Sequence, residues 1–157
     1  MTIVYLRPMT ADAYEKFLGW SIPDYAAEKA KAGDFALETA LAQSAAEFKQ
    51  LLPAGIATKD NYLYSIFSAE GIDVGMVWIA INAASGESRA FIYDLYVEPT
   101  FRSRGYGTAA LFAIEDEARR LGAKAIGLHV FGHNTRAQAL YTRIGYQPTS
   151  IQMRKPL

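Results

Sequence analysis

The sequence contains no cysteine. That excludes disulfides, thiolate metal sites and any mechanism built on a cysteine nucleophile. Histidine is nearly as scarce: His129 and His133 are the two present, and neither sits in a metal-site pattern, so no metal is expected. Long apolar runs are missing as well. No stretch approaches the ~18 uninterrupted apolar residues of a membrane span, and MTIVYLRPMT at the N-terminus lacks the apolar run and small-residue cleavage site of a signal peptide. The expectation is a soluble cytoplasmic protein with no membrane partner. Repeats, low-complexity tracts and long linkers are also lacking, so the 157 residues read as one domain, 1–157.

The formal net charge of zero is made of two opposed halves. Residues 1–101 carry 7 Lys and Arg against 13 Asp and Glu, and residues 102–157 carry 9 against 3. This is either scatter over a solvated surface or a site between two halves, with an anionic ligand on the second and a cationic one met by the first. The positive residues are few and spread over helices, which argues against a nucleic-acid partner.

Along the chain, MTIVYLRPMT suggests a short strand. Ser21, Pro23 and Asp24 resemble a helix start with Ser21 as cap, ending near Gly33. Asp34 then caps a second helix, ALETALAQSAAEFKQLL, whose Leu37, Leu41, Ala45, Phe48 and Leu52 share one face. YLYSIFSA, GMVWIAI and RAFIYDLYV read as three antiparallel strands, with turns at Glu70-Gly71 and Ala84-Ser85-Gly86. The helix GTAALFAIEDEARRLG follows, with Leu111, Ile114, Ala118 and Leu121 as its stripe and Gly122 as its stop. AIGLHV makes a strand. Asn134 caps a last helix striped by Ala137, Leu140, Tyr141 and Ile144, and SIQMRK offers a final strand. The class is α/β (α+β), a mixed sheet covered by helices, with β-α-β units in the second half.

The stretch VEPTFRSRGYGTAAL, residues 97–111, is where a strand becomes a helix through two arginines and two glycines. Unpaired N–H groups and the positive dipole end of a helix favour a phosphate there. Gly105 and Gly107 leave room for it and can turn successive N–H groups inward, while Arg102 and Arg104 add charge-assisted hydrogen bonds. So many convergent donors suit a pyrophosphate better than a carboxylate. Gly105-Tyr-Gly107-Thr-Ala-Ala110 also satisfies G-x-G-x-x-A, but the acid expected about 20 residues on for a dinucleotide ribose is missing, and no Gly-Lys-Ser/Thr of a Walker loop occurs.

Val97-Glu-Pro99-Thr-Phe-Arg102-Ser-Arg104-Gly105-Tyr-Gly107 resembles the acetyl-CoA loop of the GNAT superfamily of N-acetyltransferases, Arg/Gln-x-x-Gly-x-Gly/Ala. His129-Val-Phe-Gly-His-Asn134-Thr-Arg-Ala137-Gln-Ala-Leu140-Tyr141-Thr-Arg-Ile-Gly145-Tyr146 is similar to the same family's Asn-x-x-Ala-x-x-Leu-Tyr-x-x-x-Gly-Phe segment. The two blocks fall within residues 89–146, a little over a third of the chain.

The resemblance implies a mostly antiparallel sheet of about six to seven strands flanked by about four helices, with two central strands splayed apart. It implies acetyl-CoA as acetyl donor. The main chain of Leu95, Tyr96 and Val97 would pair with the pantetheine arm and polarise the thioester carbonyl, and the backbone from Arg102 through Ser103, Arg104, Gly105, Tyr106 and Gly107 to Thr108 would hold the pyrophosphate. It further implies direct attack by an amine acceptor, and dimers are common in the family. Asn134 has two compatible readings, helix cap and coenzyme neighbour. Tyr141 is a core residue by its stripe and, by the resemblance, the acid that protonates the departing CoA thiolate.

The base is the weak point of the pattern. Several family members place Glu on the fourth strand just before an Asp, and Tyr93 stands there before Asp94. Strand alternation turns Asp94 to the other face unless a bulge intervenes. Proton transfer through water to Asp94, Glu28 or Glu38 is the alternative, with His129 as a further candidate or a satisfied core residue, and His133 as a loop residue. Asp12, Glu15, Asp24, Glu28, Asp34 and Glu38 either line a site for a cationic amine, with Trp20, Tyr25 and Trp78 as its aromatic wall, or face solvent. The reading is an acetyl-CoA-dependent N-acetyltransferase of a small or peptide amine. The alternative is a non-catalytic acetyl-CoA-binding or regulatory module.

Overall fold

In the computed structural model, which describes residues 1–84 and 86–157, five strands form one sheet in chain order. β1 (Val4–Pro8), β2 (Asn61–Ser68), β3 (Asp73–Ala84) and β4 (Glu87–Val97) pair antiparallel, and β5 (Ala125–Leu128) joins β4 in parallel. The expected turn at Ala84-Ser85-Gly86 includes Ser85, which lies outside the described residues. α1 (Ala11–Lys31) and α2 (Ala40–Leu51) cover one face, and α3 (Tyr106–Arg120) and α4 (Thr135–Arg143) belong to the other.

Alternation along the strands divides the core in two. Tyr64, Ile66, Val77, Ile79 and Ile92 meet Ala110, Leu111 and Ile114 of α3, while Leu63, Met76 and Trp78 meet Tyr14 and Phe17 of α1 and Phe48 of α2. Burying each large side chain contributes about 1.5–3 kcal/mol. Together these residues fix both helical layers against the sheet.

Three expectations need correction. The first helix does not begin at Ser21. It begins at Ala11, with Thr10 as its cap accepting from the Ala13 N–H at 3.1 Å, and runs through Pro23. Proline inside a helix costs about 3 kcal/mol, but Phe17 and Ser21 lie fully buried one turn apart, and the packing of that face carries the helix past the proline. The second helix starts at Ala40, and its buried face is Ala40, Ser44 and Phe48; Leu37 and Leu41 are exposed. Its orientation is set by a polar contact, since the Ser44 hydroxyl donates to the Ile22 carbonyl at 2.7 Å. Asp34 caps nothing there; it pairs with Lys29 and Arg154.

The sheet has five strands, not six to seven. SIQMRK alternates polar and apolar residues, but Ile151 and Met153 face solvent and the segment enters no ladder among the described residues. A strand needs a hydrogen-bonding neighbour. This segment is tied down instead through Arg154, whose guanidinium donates to the Ala32 carbonyl and the Asp34 carboxylate.

Candidate active site

β4 is the element from which the site is built. Its pairing with β5 covers Arg89 to Ile92 opposite Ala125 to Leu128. From Tyr93 to Val97, β4 runs on with β3 as its ladder partner among the described residues, so its other edge is open over those residues. This is the splay that the sequence resemblance implied.

At the start of the open stretch the β3–β4 register shifts. Trp78 pairs with Asp94 and Ile79 with Ile92, which leaves Tyr93 as the extra residue of a bulge. A bulge inverts the alternation beyond it. Phe91 and Tyr93 lie on the α1 face, where Tyr93 stacks on Trp78 with ring centroids 4.5 Å apart. Asp94 points to that same face, and Leu95 returns to the α3 face. The condition under which Asp94 reaches the α1 side is therefore met.

Asp94 accepts a 2.5 Å hydrogen bond on Oδ2 from the hydroxyl of Ser21, itself buried in α1. Burial pushes the Asp94 carboxyl up to about 6, with the Asp24 charge adding to it and the Ser21 and Leu95 hydrogen bonds opposing it. Tyr141, on α4, is also raised, first by burial and then by the Asp94 charge. The structure thus brings the two residues singled out for catalysis, one on β4 and one on α4, within electrostatic reach of each other.

The strand end and following loop are braced. Arg102 donates through Nε to the Val97 carbonyl at 2.8 Å, and its guanidinium lies over the Tyr96 ring, which packs on Trp20 at 4.3 Å. Arg102 thereby fixes the strand exit in addition to adding charge. Two residues here adopt left-handed conformations, Ser103 (φ 61°) and Gly105 (φ 84°), whereas Gly107 lies within α3 and packs under Leu140. Gly105 is the N-cap of α3 and supplies no side chain to its first turn, so the N–H groups there are offered to an external acceptor. Thr2 fixes the loop from the far side, donating to the Arg104 carbonyl at 2.8 Å.

Two arginines on α4 lean onto this loop and the first turn of α3. Arg136 donates to the Ser103 hydroxyl at 2.8 Å and Arg143 to the Thr108 hydroxyl at 3.4 Å. Sequence reasoning missed both, although their separation of seven residues puts them on one face of a helix, which was a readable signal. It also missed Ser21 as a site residue by assigning it to a cap. Asn134 does cap α4, its Oδ1 accepting from the Ala137 N–H at 3.2 Å.

The acids of the first half divide. Asp24 sits near Arg102 and Glu28, its carboxyl raised by burial and by Glu28 against the pull of Arg102. Glu28 pairs with His133 across to the loop before α4. Asp12, Glu15 and Glu38 face solvent. Of the aromatic residues, Trp20 reaches the site beside Tyr96, but Trp78 is buried behind Tyr93, and Tyr25 turns into the α1–α2 interface to donate to Glu47. His129 is exposed rather than a core residue.

Comparison with known proteins agrees with this geometry. Residues 24–146 match the Acetyltransferase (GNAT) family. YycN, an uncharacterized N-acetyltransferase of Bacillus subtilis strain 168, is 38% identical over 157 residues, all of both chains. YdgE of the same strain, also named an uncharacterized N-acetyltransferase, is 32% identical over 97% of each. The crystal structure of YycN superposes with a TM-score of 0.94, covering 98% of both chains at 36% identity. The fold is shared more distantly by the aminoglycoside N-acetyltransferase AAC(6')-Iy, solved with CoA, at a TM-score of 0.62 and 15% identity over 100% of this chain and 96% of that one. A loop of left-handed residues leading into an uncapped helix, an open strand edge before it and these matches have one common meaning: the chain belongs to the GNAT acetyltransferase family.

Proposed function

We propose that the protein transfers the acetyl group of acetyl-CoA directly to a primary amine of a small molecule or peptide, with residues 1–157 acting as one catalytic unit. The observation that carries this reading is the bulge at Tyr93, which turns Asp94 onto the α1 face and restores a carboxylate where Tyr93 itself is a poor base. The residues present fit the donor: the open edge of β4, the left-handed Ser103 and Gly105, and the uncapped start of α3 are what an extended amide-bearing arm and a pyrophosphate need. Leu95, Tyr96 and Val97 would hold the arm through their main chain. The backbone from Arg102 to Thr108 would hold the pyrophosphate, with Arg136 and Arg143 reinforcing that loop and Asn134 beside it. Acetyl-CoA supplies an activated acyl carbon on a thiol leaving group.

The chain's own residues then handle protons. An alkylamine with a pKa near 10.4 arrives protonated at neutral pH. Asp94, with a carboxyl near 6, is ionised at pH 7 and basic enough to take that proton directly or through water. Tyr141, held neutral by burial and the neighbouring Asp94 charge, donates a proton to the leaving thiolate. Oxyanion stabilisation falls to the main chain of β4. With no cysteine present, direct attack needs no covalent enzyme intermediate.

The test is CoA-thiol release with acetyl-CoA across polyamines, amino acids, aminoglycosides and lysine peptides. Turnover with one class of amine supports the proposal. Tight acetyl-CoA binding without turnover across the panel favours the binding-module alternative.

A further inference from the structure

Ser21 is 1% exposed in the middle of α1, and its hydroxyl crosses to a residue 73 positions away on β4. A serine inside a helix commonly donates back to a carbonyl one turn earlier. Here the hydroxyl leaves its own helix for the Asp94 carboxylate, at the short distance typical of a charge-assisted bond. The helix continues unbroken on both sides of it, so the position of the hydroxyl is fixed by the packing of Phe17 and Trp78 rather than by a mobile terminus.

We propose that Ser21 is the positioning residue for Asp94: its hydroxyl fixes the rotamer of the carboxylate at the bulge and supports the ionised form that accepts the proton of the amine. The inference rests on the reading of Asp94 as base. Geometry and electrostatics both support it. Asp94 follows the extra residue of a bulge, where the ladder alone leaves side-chain direction loosely set. Burial and the like charge of Asp24 on α1 work against ionisation, and the phenol of Tyr141 on α4 lies within electrostatic reach without adding a charge. Besides the Leu95 backbone N–H, Ser21 is the group that opposes burial at this carboxylate. The acceptor-side helix, which also bears Asp24 and Glu28, is thereby coupled to the base through one hydrogen bond.

Two readouts on the full chain test this. The carboxyl carbon of Asp94 is titrated by NMR in protein carrying carboxyl-labelled aspartate, and the pH dependence of kcat/KM is recorded with the best amine of the panel. Ser21→Ala should raise the Asp94 titration by about one pH unit, the size expected for losing a hydrogen bond to a charged group. The low-pH limb of kcat/KM should move by the same amount, giving about a five- to tenfold loss below pH 6 and little above pH 8. Ser21→Thr, which keeps the hydroxyl, should restore both midpoints. Melting temperature and acetyl-CoA affinity show whether each variant is folded; a purely structural serine would lower the melting temperature and leave both midpoints in place. An unmoved Asp94 titration in folded Ser21→Ala overturns the inference while leaving Asp94 as base intact. A moved titration with an unmoved rate limb overturns the reading of Asp94 as base, and the role of Ser21 with it.

Discussion

Tyr93 stacks on Trp78 with an interplanar angle of 22°, and that stack anchors the bulge which decides where Asp94 points. Tyr93 therefore acts through its place in the backbone. Replacing it with alanine removes a stacking contribution of about 0.5–1.5 kcal/mol beyond area burial, but keeps the extra residue. Chemical denaturation should show a loss of stability of at least that size, since some apolar burial goes with the ring, while kcat stays within about threefold. Deleting Tyr93 removes the bulge but lets Asp94 follow Ile92 directly, still opposite Trp78 on the α1 face, so turnover should survive the deletion.

Tyr141→Phe should keep acetyl-CoA affinity, measured by calorimetry, and lower turnover by about 10²–10⁴-fold, the usual worth of positioned proton transfer. Unchanged turnover would remove Tyr141 from the mechanism and return it to the α4 stripe.

Asp94 links activity to stability. Its folded carboxyl near 6 lies above the unfolded value of 3.8, so the buried charge opposes folding above pH 6, and the penalty disappears as pH falls from 6 toward 3.8. Asp94→Asn should accordingly be more stable than the parent at pH 8, by on the order of 2 kcal/mol, and the advantage should shrink below pH 6. Urea denaturation at pH 8 and pH 5 reads this directly.

Gly105→Ala places a Cβ 2.9 Å from the Thr2 hydroxyl oxygen on a backbone with φ 84°. The left-handed conformation alone costs about 1–2 kcal/mol. Lower thermal stability and weaker acetyl-CoA binding should appear together, and Thr2→Ala should recover only the steric part.

Arg136→Ala with Arg143→Ala should raise KM for acetyl-CoA about tenfold or more at unchanged kcat, since these side chains brace the loop and add charge at its rim. A fall in kcat at unchanged KM would place them elsewhere in the mechanism.

The helices of the second half were legible in advance because their signals are local, whereas SIQMRK showed strand alternation and found no ladder partner among the described residues. Gly122 and Gly145 end helices, Asn134 caps one, and the stripe of α3 fell where Leu111, Ile114 and Ala118 are buried. The first half was less so, because its decisive contacts are between distant residues. Pro23 looks like a helix start until Phe17 and Ser21 are seen packed against the sheet. The face of α2 follows a serine that meets a carbonyl of another helix, which no periodicity announces. The bulge at Tyr93 is a matter of register between strands, and a single strand's alternation cannot reveal it. Ser21 was read as a cap for the same reason: its partner is 73 residues away.

The central claim is that Asp94, brought to the α1 face by the bulge, takes the proton of an amine attacking acetyl-CoA. The most direct measurement is kcat/KM for the preferred amine against pH in the parent and in Asp94→Asn. The account predicts a parent profile rising through about pH 6 to a plateau, and a variant lacking that limb with a plateau lower by about 10²–10⁴-fold. A variant with the parent's limb and plateau would contradict it.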